Sequence, residues 1–171
     1  MHLRYSMTVG ATMAMAWPAY AADVQLKVEI PRISVAEYHR PYLALWVERA
    51  ADQGVAANLQ VWYDVKKRDH GGAKWLKDMR QWWRKTGRDL QLPADGVSVA
   101  TRAPGEHVVA LGGAKGLSTL PAGSYELVVE AARENGGREV LRVPFDWPAK
   151  AHTARAQGEH ELGAVVLDVK P

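Results

Sequence analysis

The chain has 171 residues, a net charge of +3 and no cysteine. Its length suits one domain with a full hydrophobic core. The lack of cysteine excludes thiolate catalysis, c-type haem attachment and iron–sulfur ligation, and leaves packing rather than disulfides to hold the fold.

The first residues, MHLRYS, carry Arg4 and lead into the uncharged apolar run MTVGATMAMAW. That run is about 11 residues long, against the roughly 20 needed to span a bilayer. Ala19-Tyr20-Ala21 then supplies the A-x-A pattern of a secretory leader. The expectation is a signal peptide over residues 1–21, cleavage before Ala22, export to the periplasm and a single domain over residues 22–171.

Most of the remaining chain alternates as half-buried strands do. Val24, Leu26, Val28 and Ile30 share one side, and Pro31 ends that strand. Leu43, Leu45 and Val47 define a second strand, and Leu59, Val61, Tyr63 and Val65 a third after a turn at Asp52-Gln53-Gly54. SYELVVEAA and REVLRVPF flank Glu134-Asn135-Gly136-Gly137, where Asn-Gly predicts a type I′ hairpin turn. HELGAVVLDV forms the last strand after a turn at Ala156-Gln157-Gly158. About seven short strands with one intruding helix predict an all-β fold, an antiparallel immunoglobulin-like β-sandwich.

The intruder is KWLKDMRQWWRKTG. Trp75, Met79, Trp82, Trp83 and Thr86 recur at helical spacing, which predicts an amphipathic helix over about residues 74–87 with Gly87 as its C-terminal cap. The surrounding residues 66–88 carry nine basic and two acidic side chains, a net +7, so the rest of the chain is mildly acidic. Two readings of this helix stand. The tryptophans plug an open end of the sandwich while the basic side is solvated. Alternatively, Trp82, Trp83, Lys77, Arg80 and Arg84 grip an acidic protein partner or an anionic membrane surface. Nucleic acid is not expected, because no recognition motif accompanies the charge.

No Ser-His-Asp order, catalytic carboxylate pair or nucleophile elbow stands out, so a non-enzymatic role is expected. LGGAKGLST (111–119) lacks the GK[ST] ending of a phosphate loop and reads as a turn. The histidines have no metal-binding spacing; His152 and His160 flank a turn and read as ordinary surface residues, with a metal pair across a hairpin as the lesser reading.

Two segments carry a resemblance. PAGSYELVVEA (121–131) is similar to the start of a strand in bacterial immunoglobulin-like domains, including those of flagellar hook-capping proteins. More widely, EIPR (29–32), HRPYLALWVE (39–48), VWYD (61–64), KWLKDMRQWWRKTG (74–87), DGVSVATRAPG (95–105) and PAGSYELVVEAARENGGRE (121–139) occur in that order. Together they resemble an uncharacterised family of predicted periplasmic proteins whose W-W-R helix precedes a GATRPPG-like segment. Its genes are often found near PepSY-type membrane proteins and FAD:protein FMN transferases.

That setting implies an accessory role beside a membrane flavin-linked redox or metal-acquisition system. It also implies a covalent FMN, because DGVSVATR is similar to the sequences that FMN transferases modify. In that chemistry a threonine hydroxyl attacks the phosphorus of FAD and keeps FMN through a phosphoester. The implied acceptor is Thr101, with Asp95, Gly96, Ser98 and Ala100 as context. Val99 stands where the pattern has glycine, and its branched side chain favours an ordinary strand between two turns. A glycan-binding module, suggested by a Trp-bearing sandwich, is the remaining alternative.

Overall fold

A computed structural model describes residues 23–148 and 150–170; the expected leader and its cleavage point lie outside the described residues. One sheet contains β1 (Asp23–Ile30), β5 (Gly105–Ala110), β8 (His152–Gln157) and β9 (Ala164–Lys170). The other contains β2 (Tyr42–Arg49), β3 (Val55–Tyr63), β4 (Ser98–Ala100), β6 (Gly123–Ala132) and β7 (Arg138–Trp147). Their spatial orders are β5-β1-β9-β8 and β4-β3-β2-β6-β7. The fold is the expected β-sandwich with a short helical insertion. All neighbouring strands run antiparallel except β3 and β4, which pair in parallel with Trp62 opposite Val99.

The two sheets differ in how their outer sides meet solvent. In β1 the inward residues Val24, Leu26, Val28 and Ile30 are buried, while Asp23, Lys27 and Glu29 are exposed, the mark of a strand wetted on one side. In β2, Leu43, Leu45 and Val47 face the other sheet, and Ala44, Trp46 and Glu48 on the opposite side are equally inaccessible. The inter-sheet core joins Leu26, Val28, Leu43, Leu45, Leu59, Leu127, Val129, Val165 and Leu167. A second core covers the outer side of the five-stranded sheet, where Ala44, Trp46, Val61, Tyr63 and Val128 pack against Leu76, Met79 and Trp82.

The insertion between β3 and β4 therefore lies across the outer face of a sheet and does not plug an end of the sandwich. Nor is it one helix over 74–87. Residues Arg68–Asp78 form 3₁₀ turns, α1 spans only Arg80–Lys85, and Gly87–Asp89 is a further 3₁₀ turn. The local cause lies in the backbone around it. Asp69 takes a positive φ of 55°. At Gly72 a Cβ would come within 2.0 Å of the Asp64 carbonyl oxygen, so the chain is pressed against β3's exit. Burying Leu76, Met79 and Trp82 offsets the poor local propensity, each contributing about 1.5–3 kcal/mol. Gly87 does not cap the helix through a positive φ; it admits the Trp82 ring, whose Cζ3 would lie 2.4 Å from an added Cβ.

Two edge strands, β5 and β8, were not evident from the pattern, and Gly105 begins a strand where a turn was expected. The β6–β7 turn also differs from a type I′ turn. Gly136 N–H donates to Arg133 O at 2.9 Å, and only Asn135 has a positive φ, 54°, as in a type II turn. The 111–120 segment is a run of turns, as expected, and buries Leu111, Leu117 and Leu120.

Candidate functional site

The outer face of β2, β6 and β7 presents Glu48, Glu126 and Glu130 beside Arg138 and Arg142, and the insertion docks on them. Glu130 is fully buried and accepts the backbone N–H groups of Gln81 at 3.1 Å and Trp82 at 2.7 Å. Arg138 Nη1 reaches the same carboxylate at 2.9 Å. Those two N–H groups belong to the first turn of α1, where the helix has no partner of its own for them. Glu48, also fully buried, accepts from Trp46 Nε1 at 2.6 Å, Lys85 Nζ at 2.7 Å and Arg142 Nη1 at 2.8 Å. Burial alone would raise the Glu48 carboxyl, but the hydrogen bonds from Lys85, Arg142 and Trp46 outweigh it and hold it below the ordinary carboxylate value.

Trp82 is held between these anchors. Its ring is inaccessible, and its Nε1 donates to Asn58 Oδ1 at 3.0 Å, while Asn58 Nδ2 donates to Thr86 Oγ1 at 2.6 Å. It cannot present a face to a partner, which corrects its assignment as a gripping residue. Trp83 is half-buried beside it, the two rings 6.4 Å apart.

With the apolar side engaged, the cations point away from the sheet. Lys66, Lys67, Arg68, Lys74, Lys77, Arg80 and Arg84 are exposed and have no carboxylate at ion-pair distance among the described residues. Lys85 is the exception, since its ammonium bridges Glu48 and also donates to Gln53 O at 2.6 Å. Lys77, Arg80 and Arg84 are thus left exposed on the insertion, while Lys85 is engaged by the sheet.

The Asp95–Gly105 stretch lies at the β4 edge of the same sheet. Asp95, Gly96 and Ala100 are exposed, and Gly96 has a positive φ of 75°. The two hydroxyls are engaged. Ser98 Oγ accepts the Ala94 N–H at 3.0 Å, and Tyr63 Oη donates to it at 3.3 Å. Thr101 is half-buried, its N–H donates to Tyr63 O at 2.9 Å and its Oγ1 donates to Pro41 O at 2.6 Å. Next to it, the Arg102 guanidinium lies 4.3 Å from the centre of the buried Trp62 ring. Thr101 therefore fits poorly as the accessible nucleophile that FMN transfer needs.

His152 and His160 do not come together: the first starts β8, and the second lies in the loop beyond its far end. Trp46, Trp62 and Trp82 are fully buried, and Trp75, Trp83 and Trp147 are half-buried, so none of the described tryptophans offers an open stacking platform.

Four buried ionic residues, Glu48, Glu130, Arg133 and Glu161, were not singled out from sequence. A signal existed for Glu48. It shares a side of β2 with Ala44 and Trp46, and a strand with large apolar residues on both sides is covered on both.

A β-sandwich with a basic helical insertion across one sheet is the class defined by this architecture. Residues 23–164 match a family described as predicted periplasmic protein, DUF2271, and the chain belongs to it. No curated protein and no solved structure matches significantly.

Proposed function

We propose that this is an exported, non-catalytic accessory protein that docks an acidic protein partner on the basic face of its insertion. The reading is supported by one observation above others: seven exposed cations without carboxylate partners among the described residues stand on a segment whose apolar side is already covered by the sheet. Membrane-surface helices need that apolar side for the bilayer. Here Leu76, Met79 and Trp82 are buried, which favours a protein over an anionic membrane. The family resemblance points to a partner beside a membrane flavin-linked redox or metal-acquisition system, with a PepSY-type membrane protein or an FMN transferase as the kinds of partner to examine first.

The test pairs the mature chain with each purified candidate at low and high salt, and with anionic vesicles in parallel. Changing Lys77, Arg80 and Arg84 to Glu should abolish partner binding, and wild-type binding should weaken steeply with salt. Unchanged binding by the triple variant would remove the basic face from the proposal, and salt-sensitive binding to vesicles alone would replace the protein partner with a membrane.

The second reading, an electron carrier with FMN on Thr101, draws on the exposure of Asp95, Gly96 and Ala100 around that residue. It requires the Thr101 hydroxyl to leave the Pro41 carbonyl. Glycan binding has less support, because every described tryptophan is buried or half-buried.

A further inference from the structure

We propose that the cleft between the insertion and the β6–β7 hairpin is a carboxylate-binding site that takes an acidic side chain of the docking partner. This deepens the proposed function and rests on it. The cleft has a volume of about 400 Å³ and is lined by Asp78 and Arg80 from the insertion and by Arg133, Asn135 and Arg138 from the hairpin.

Two of its three guanidinium groups are fixed from behind. Arg133 donates from Nε and Nη2 to the two oxygens of Glu161, both at 3.0 Å, and Arg138 donates from Nη1 to Glu130 at 2.9 Å. Both carboxylates are buried, Glu130 at 0% and Glu161 at 3% exposure, so they hold the arginines without reaching the cleft mouth. An arginine pinned in this way has already lost its rotamer freedom, and its remaining N–H groups are set in a planar fork that matches a carboxylate. Arg138 keeps 37% of its side chain exposed for that purpose.

Arg80 supplies the opposite wall. It is exposed and has no carboxylate at ion-pair distance among the described residues. A carboxylate entering the cleft therefore meets donors from both the insertion and the hairpin. Asp78 is the one acidic residue in the lining; Glu161 and Glu130 offset the charges of Arg133 and Arg138, so the cleft offers directed N–H donors rather than a net positive charge. The cleft differs from the diffuse basic face in requiring fork geometry.

Hexaglutamate peptide is the probe, titrated into the mature chain by calorimetry and by amide chemical shifts. The Asn135, Gly136 and Gly137 amides should move on binding. Arg80→Lys, which keeps the charge and loses the fork, should weaken binding by about tenfold, while Arg155→Lys, on the exposed β8 strand of the other sheet, should bind as wild type. If Arg80→Lys binds as wild type and the Lys77, Arg80 and Arg84 to Glu variant does not bind, the attraction is diffuse; the cleft site is overturned and the docking face stands. If the triple variant also binds as wild type, both fail. Binding without movement of the hairpin amides would equally overturn the cleft.

Discussion

Trp82 and Glu130 are 48 positions apart in the chain, and the backbone N–H of the first donates to the carboxylate of the second at 2.7 Å. This bond, with its neighbour from Gln81, fixes where α1 starts and which of its sides faces the sheet. The outward direction of the basic residues follows from it, so a buried contact with no ligand chemistry sets the geometry of the proposed docking face.

Glu130→Ala should destabilise the protein by about 3 kcal/mol, because it leaves two buried N–H groups and Arg138 without their acceptor. Glu130→Gln, which keeps one oxygen, should lose less. Urea unfolding followed by tryptophan fluorescence would measure both, and limited proteolysis should cut first within residues 66–92 of the Ala variant.

Gly87→Ala would force a methyl group against the face of Trp82, with Cε3 at 2.6 Å and Cζ3 at 2.4 Å. The expected loss is about 1–3 kcal/mol, the usual cost of overpacking. A variant as stable as wild type in a thermal melt would show that the insertion is free to shift.

Glu139 accepts four backbone N–H groups from the β8–β9 loop, Glu159 at 2.7 Å, His160 at 3.1 Å, Glu161 at 2.9 Å and Leu162 at 2.8 Å. Desolvation pushes its carboxyl up, but the four donors prevail and hold it below the ordinary value, as the three donors do for Glu48. A carboxyl with a depressed folded pKa binds fewer protons folded than unfolded. Its stabilisation is therefore present above the ordinary carboxylate range and is lost as the pH falls through the folded value. Stability against urea should drop on acidification through and below that range, and Glu139→Gln should flatten the pH dependence while lowering stability at neutral pH.

Thr101→Val removes the donor to Pro41 O and should cost about 1 kcal/mol in urea unfolding. Co-expression with an FMN transferase supplies the companion measurement. Wild-type protein of unmodified intact mass and no visible absorbance is the outcome expected from the engaged hydroxyl; a gain of FMN mass that is lost in Thr101→Ala would establish the carrier reading instead.

The sandwich was legible in the sequence wherever a strand has one wet side, because β1 and β9 then alternate with period two. Edge strands β5 and β8 were not, since their residues are mostly exposed and give no apolar rhythm. The insertion misled for a different reason. Trp75, Met79, Trp82 and Trp83 have helical spacing, yet Gly71-Gly72 and the close approach to Asp64 break the first half into 3₁₀ turns. Of the candidate residues, Lys77, Arg80 and Arg84 lie where an amphipathic reading puts them. Trp82 does not, because spacing alone cannot tell an aromatic that covers a sheet from one that faces a partner.

A protein without cysteine still ties distant segments together here, through carboxylates: Glu130 to α1, Glu139 to the β8–β9 loop, Glu161 to Arg133, and Glu29 to Ala164 N–H at 2.9 Å. Glu139, whose carboxyl is held below the ordinary value, is a staple that a proton, not a reductant, can open. The fold is consequently indifferent to thiol oxidants and disulfide exchange, and acidity is the condition under which the β8–β9 loop comes loose from β7.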